Sequence, residues 1–232
     1  MTSRPYVYLK YAMSLDGKMA TSSGNSKWIT GPEARMEAHR LRNQVDGLII
    51  GRGTIDADNP SLTTRLEGET CRHPTRIILS ASGRMNENAR VWDTEMPGQS
   101  LFVTTDRCPS LHRKQLEKRD VETLTLPSDS RGTGIDLAAL LQALGQKGMS
   151  RIMVEGGPKV LTSFMQQDLF DEIWAFVAPK IIGGSSAPTP FDGKGFSLVA
   201  NSPAMEHMET ITLGRDTLIK VRRQARSDSI LD

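Results

Sequence analysis

Ile152-Met153-Val154-Glu155-Gly156-Gly157-Pro158-Lys159-Val160-Leu161-Thr162-Ser163 turns a buried strand into a helix within a dozen residues. Three apolar residues read as the end of a strand, and Glu155 stands at its carboxyl terminus. Pro158 opens a helical pattern, where proline costs nothing because the first helical N–H is unpaired anyway. Gly156 and Gly157 let a backbone or a ligand come close and tolerate positive φ. The unpaired first-turn N–H groups and the helix dipole then form an anion site. In open α/β sheets, ligands bind outside the carboxyl ends of the strands. The stretch therefore reads as a phosphate cradle with a carboxylate beside it; the plainer reading is a tight strand-to-helix turn with no ligand.

The flanking sequence repeats this alternation. Tyr6–Ser14, Val45–Gly51, Arg76–Leu79, Leu101–Thr104, Val121–Leu126, Arg151–Glu155 and Glu172–Ile182 read as strands, the last interrupted by Pro179. Helices are expected over Pro32 to about Asn43, Leu111–Lys118 and Pro158–Gln167. Another follows Asp136, with a stripe of Leu137, Leu140, Leu141 and Leu144, and ends at Gly148. Glu206–Leu213 and Thr217–Val221 form a hairpin around Gly214-Arg215-Asp216. Strands alternating with helices predict α/β with a mainly parallel sheet, and the hairpin adds an antiparallel edge. No linker or repeat breaks the chain, so one domain is expected over residues 1–232, with its core at about 5–221.

Composition narrows the function classes. The 29 basic and 27 acidic residues leave a net charge of +2, too balanced for a nucleic-acid or membrane surface. Lys220, Arg222, Arg223 and Arg226 are the densest basic cluster and read as a solvated end. Cys71 and Cys108 form no CxxC pair, and the four histidines lack metal spacing, so neither a disulfide framework nor a metal is expected. No signal peptide or membrane span is read, which points to the cytoplasm.

Several residues have chemistry to offer. Thr30 can cap the first helix, with Glu33 at capping-box spacing. Arg35, His39 and Arg42 share one face of that helix. Locally they read as a solvated basic face, though two arginines can also hold a phosphate. Gly51-x-Gly53 after a strand invites a dinucleotide fingerprint, but Asp56 occupies its third glycine position. What remains is a polar loop with Thr54, Asp58, Asn59 and Arg65. Trp28 in a loop reads as a core plug, a lid or a stacking surface.

The combination is more specific than its parts. Ser14-Leu15-Asp16-Gly17-Lys18, Trp28-Ile29-Thr30 and Asp58-Asn59-Pro60-Ser61-Leu62-Thr63-Thr64-Arg65 occur in order. Val154-Glu155-Gly156-Gly157-Pro158 and Ala178-Pro179-Lys180-Ile181-Ile182-Gly183 follow. Together they resemble the reductase half of the bacterial riboflavin-biosynthesis deaminase/reductase, whose fold is similar to dihydrofolate reductase. That resemblance implies NADPH-dependent reduction of the ribose of a ribosylaminopyrimidine 5′-phosphate to a ribityl chain. It implies cofactor contacts at Ala12, Trp28, Thr54 and Asp58. It places Gly157, Pro158, Lys159, Val160, Leu161, Thr162 and Ser163 around the cofactor phosphates. Substrate contacts are implied at Ser26, Arg42, Leu62, Arg65 and Glu155. Lys18 falls on a position that is Lys or Arg in relatives, near the sugar, and Lys18 or Glu155 is expected to handle the proton. A symmetric homodimer is also implied. The deaminase motifs His-x-Glu and Pro-Cys-x-x-Cys do not occur in this sequence, so a reductase without a deaminase domain is expected.

Two alternatives share the fold. A pterin reductase would leave Arg42 and Arg65 without purpose. A non-catalytic nucleotide-binding protein would have no need of Lys18, Asp58 and Glu155.

Overall fold

The computed structural model describes residues 4–224; Arg226, from the basic cluster, lies outside them. Nine strands form one sheet: β1 (Tyr6–Ser14), β2 (Gly47–Gly51), β3 (Thr75–Leu79), β4 (Ser100–Thr104), β5 (Glu122–Thr125), β6 (Arg151–Val154), β7 (Glu172–Ala178), β8 (Met205–Leu213) and β9 (Asp216–Arg223). Their spatial order is β5-β4-β3-β2-β6-β1-β7-β9-β8. Every pairing from β5 through β7 is parallel, and β9 joins β7 and β8 antiparallel, as expected of the hairpin. The chain runs outward from β1 to β5, then returns to insert β6 between β2 and β1. β6 stops opposite Leu9 and Ile49 while β1 and β2 run on past it, and a reversal of strand order is where an open sheet leaves a crevice.

Helices α1 (Pro32–Gln44), α2 (Arg52–Asp58), α3 (Ser110–Glu117), α4 (Leu137–Gln146) and α5 (Pro158–Gln166) complete the fold. Strand alternation sends Leu48, Ile50, Met153, Trp174 and Phe176 to one face, where Ala34, Ala38 and Leu41 of α1 cover them. Ile49, Ile77, Ile152, Val154 and Ile173 face the other way, onto the leucine stripe of α4 and onto Leu161 and Phe164 of α5. Each fully buried Leu or Ile contributes about 2 kcal/mol. Asp136 caps α4 as expected, accepting the Ala139 N–H at 3.0 Å.

Four local expectations change. β7 stops at Ala178 instead of continuing to Ile182, because Pro179 has no N–H to give the ladder. Residues 52–58, read as loop, form α2; its glycine and aspartates hide the helical signal, and Ile55 is its only buried side chain. Lys220, Arg222 and Arg223 lie in β9 rather than at a loose end. Lys220 stacks 4.2 Å over the Trp174 ring, and Arg223 is bridged to Asp168.

The fourth change is at the start of α1. Its N-cap is Gly31, not Thr30, and no local side chain caps it. Asp216 of the hairpin does so instead: its fully buried Oδ2 accepts the Gly31 N–H at 2.5 Å. A carboxylate at a helix N-terminus gains from the dipole as well as the hydrogen bond. Asp216→Ala is expected to cost about 1–2 kcal/mol, read as a lower urea midpoint at unchanged slope. An unchanged midpoint would remove the cap from this account.

Candidate active site

Glu155 follows the last residue of β6, between the middle of β1 and the end of β2: Val154 pairs with Leu9 and Ile49, and the Glu155 N–H donates to the Ile49 carbonyl at 3.0 Å. Its two oxygens take one cation each: Lys10 Nζ reaches Oε1 at 2.7 Å, and Arg42 Nη2 reaches Oε2 at 2.6 Å. Lys10 projects from β1 onto the α1 face of the sheet, 5.5 Å from the Phe176 ring centre. Burial opposes charge on Glu155, but Arg42 and Lys10, by field and hydrogen bond, hold its pKa well below the usual carboxylate range. Glu155 is thus a fixed anion.

Arg42 departs from the solvated face that its local pattern suggests. It is 8% exposed, and its Nη1 donates to the Thr63 carbonyl at 2.7 Å. That carbonyl is aimed by an unusual backbone. Asn59 and Leu62 have φ of 41° and 55°, left-handed values uncommon for residues with a side chain. Leu62 anchors the turn in the core at 5% exposure. Backbone held in this region clusters at functional sites.

Arg65 ends the same turn and stays exposed. Its main-chain N–H donates to His39 Nδ1 at 3.2 Å, and its Nη2 lies 3.3 Å from His39 Nε2. Burial first, then Arg42 and Arg65, lower the His39 pKa to about 4. Lys10, Arg42 and Arg65 against Glu155 therefore leave an excess of two positive charges beside a neutral imidazole.

The remaining residue of the Arg35, His39 and Arg42 face, Arg35, points to Trp28. Its guanidinium lies 4.4 Å from the Trp28 ring centre, and its Nη1 donates to the Thr30 carbonyl at 2.7 Å. Trp28 is 63% exposed, so it is a surface for stacking and not a core plug.

The turn quoted at the outset packs more tightly than its glycines suggested. Neither Gly156 nor Gly157 has positive φ. What they supply is room. A Cβ on Gly156 would fall 2.8 Å from Val160 Cβ, one on Gly51 2.7 Å from Val160 Cγ2, and one on Gly157 3.1 Å from Thr54 Oγ1. Val160 thus seats the first turn of α5 between β2 and α2. No side chain caps α5; Pro158 has no N–H and Val160 gives its own to the Gly157 carbonyl at 3.1 Å, so the Lys159 N–H is the first-turn donor that remains for an anion.

Two cavities flank α5. One of about 360 Å³ is bounded by Lys18, Pro158, the segment 185–189 and Asp192. Another of about 170 Å³ is lined by Leu79, Ile135 and Val160, with Lys159, Ser163 and Arg131 also on its wall.

The remaining sequence candidates fall around this frame. Ala12 lies on β1 beside Phe176, on the same face as Lys10. Ser26 is half-buried in the loop before Trp28, and Asp58 is exposed at the end of α2. Lys18 donates to the Ala187 carbonyl at 3.4 Å, on the first cavity. Leu161 is buried in the core, and Thr162 accepts the Asp192 N–H, so their side chains serve packing. Two residues of the frame carried no assignment: Lys10, hidden as a polar residue within a strand pattern, and His39, noted only as one of a basic face. The even spacing Tyr8, Lys10, Ala12 puts Lys10 on one sheet face with Ala12, but only the pairing of β1 with β6 brings it to Glu155. Among the described residues, no cluster of His, Cys, Asp or Glu could hold a metal, and no helix is long and apolar enough to cross a membrane.

The profile of the RibD C-terminal domain family matches residues 5–219. The chain is 35% identical over 215 residues to riboflavin biosynthesis protein RibD of Bacillus amyloliquefaciens, covering 93% of this chain and 56% of that protein. It thus spans little more than half the length of the RibD proteins it matches. It is 34% identical over 218 residues to the 2,5-diamino-6-ribosylamino-4(3H)-pyrimidinone 5′-phosphate reductase of Methanothermobacter thermautotrophicus, covering 94% of this chain and 97% of that protein. Among solved structures, RibD of Acinetobacter baumannii superposes with a TM-score of 0.82 at 30% identity, covering 96% of this chain and 59% of that one. A dihydrofolate reductase from Enterococcus faecalis shares the fold alone, at a TM-score of 0.52 and 12% identity. The fold is dihydrofolate reductase-like, as the resemblance implied.

Proposed function

This chain belongs to the RibD C-terminal domain family, and from that premise we propose that it reduces the ribose of a ribosylaminopyrimidine 5′-phosphate to a ribityl chain in riboflavin biosynthesis, with NADPH as reductant. The observation that carries the reading is the Lys10–Glu155–Arg42 cluster at the strand reversal, with Arg65 beside it and an uncapped helix across from it. An excess of two positive charges matches a phosphate monoester dianion. The archaeal relative's name specifies a substrate of this class.

The residues present fit a dinucleotide. The start of α5, with its free Lys159 N–H and its dipole, suits the pyrophosphate, Trp28 offers a stacking face, and the cavity with Lys159 and Arg131 suits an adenosine end bearing an extra phosphate. When bound, NADPH supplies the hydride.

The protein's part is alignment and proton control. Opening a ribosylamine breaks C1′–O4′ and makes C1′=N, with a proton moving from nitrogen to O4′. Hydride then adds at C1′, and the nitrogen takes one proton from solution. Glu155, fixed as a carboxylate, is a poor acid, but it favours a cationic iminium beside it. The Lys10 ammonium, held by Glu155, is the group placed to pass the proton on. Arg65 holds the phosphate. Arg42 spans Glu155 and Thr63 and keeps the carboxylate aimed.

A pterin reductase is the weaker reading. The acids on α1 face elsewhere: Glu33 crowds Gly214, and Glu37 pairs with Arg40.

The test is NADPH oxidation by the purified protein on the deaminated ribosylaminouracil phosphate and, separately, on its diamino precursor. Turnover of either is expected, and which one is reduced tells whether reduction follows or precedes deamination. Activity on neither would overturn the proposal.

A further inference from the structure

His39 sits within α1, half-buried, with both ring nitrogens toward Arg65. The Arg65 main-chain N–H donates to Nδ1 at 3.2 Å. A main-chain N–H only donates, so Nδ1 is the lone-pair nitrogen. A neutral imidazole has one such nitrogen, and the proton is therefore on Nε2. That N–H faces Arg65 Nη2 at 3.3 Å, and a guanidinium accepts nothing. Two donors abut with no acceptor between them. Three residues along the same helix, the buried Arg42 carries an Nε–H with no partner among the described residues. A set of donors that lacks an acceptor is what an anion completes.

On the reading that the substrate is a phosphate monoester, we propose that His39 binds that phosphate directly through Nε2–H, held in this tautomer by the Arg65 main chain. Arg65 supplies charge, and His39 supplies a directed neutral donor. Burial, helped by the Arg42, Arg65 and Lys10 cations around the ring, keeps it neutral against the opposing pull of Glu155.

Two kinds of measurement test this. Long-range proton–nitrogen NMR of the whole protein reads the tautomer, with inorganic phosphate as probe. The expected spectrum has unprotonated Nδ1, protonated Nε2, and an Nε2 signal that moves saturably with phosphate. The reversed tautomer, or an unmoved signal, would overturn the proposal. Kinetics supply the second arm. His39→Asn keeps an acceptor for the Arg65 N–H but drops the Nε2 donor, and should raise KM for the phosphorylated substrate about tenfold. Its kcat should stay within about twofold, and KM for NADPH should not change. His39→Gln restores a donor at the Nε2 position and should recover most of the loss. Equal loss in both variants, or a fall in kcat at constant KM, would show a merely structural role. If the wild-type protein reduces neither pyrimidine, the functional reading fails, and the NMR titration still decides the anion site.

Discussion

Lys10→Met is expected to lower kcat by about 10² to 10³-fold while the Kd for NADPH stays within about twofold. Lys10 is the cation that Glu155 holds on the substrate side of the sheet end, and removing it takes away the proton path without touching α5. Glu155→Gln should lower kcat to a similar degree for a different reason. It leaves Lys10 and Arg42 facing a neutral amide, and an uncompensated buried charge costs about 3 kcal/mol of stability. The two variants therefore separate: both lose turnover, but only Glu155→Gln also loses substantial denaturant resistance. The depressed Glu155 pKa adds a sign. Its stabilisation is present above the ordinary carboxylate pKa and is lost only as pH falls through its own, lower value. No acid limb in kcat from this group is expected between about pH 5 and 8. The contrasting variant is Lys18→Met, which lines the cavity beside Pro158. If Lys18→Met abolished turnover and Lys10→Met did not, proton transfer would belong to Lys18.

Gly51→Ala is expected to weaken NADPH binding about 10 to 50-fold, through a residue with no side chain to offer a ligand. The added methyl would stand 2.7 Å from Val160 Cγ2. Val160 is branched and stiff at χ1, and it is wedged against Gly156. The strain is relieved by shifting the first turn of α5, whose start is the proposed phosphate site. The double variant Gly51→Ala/Val160→Ala removes the clash and should return the Kd to within about threefold of wild type. A double variant as weak as the single would show that Val160 does not transmit the change. Isothermal titration of the two proteins with NADPH decides it.

These contrasts show what the chain reveals on reading. Apolar runs and glycines mark the strands, four of the five helices and a mainly parallel sheet with an antiparallel hairpin, because burial and turn geometry leave periodic marks. α2 was not legible because it holds its place by Ile55 alone. The site was legible in part. Glu155 and the α5 turn announce themselves locally, since a strand end, a glycine pair and a proline share one short segment. Lys10, His39 and the role of Arg42 do not. Each acquires meaning only from a residue far away in sequence, Glu155 for Lys10 and Arg42, Arg65 for His39. Local pattern made Arg42 a surface charge, and pairing across 113 residues made it a buried clamp.

The insertion of β6 between β1 and β2 also governs how the protein comes into being. During synthesis β1 and β2 emerge early, yet they cannot pair with each other, because the place between them belongs to a strand about a hundred residues further on. Until residue 154 leaves the ribosome, the nascent chain carries two unsatisfied apolar edges at what will become its centre. The contact that closes this gap is of high sequence separation and therefore slow. It also delivers Glu155 to Lys10 and Arg42. Closure of the gap between β1 and β2 and assembly of the Lys10–Glu155–Arg42 cluster are one event, so a chain stalled before β6 is both sticky and inert.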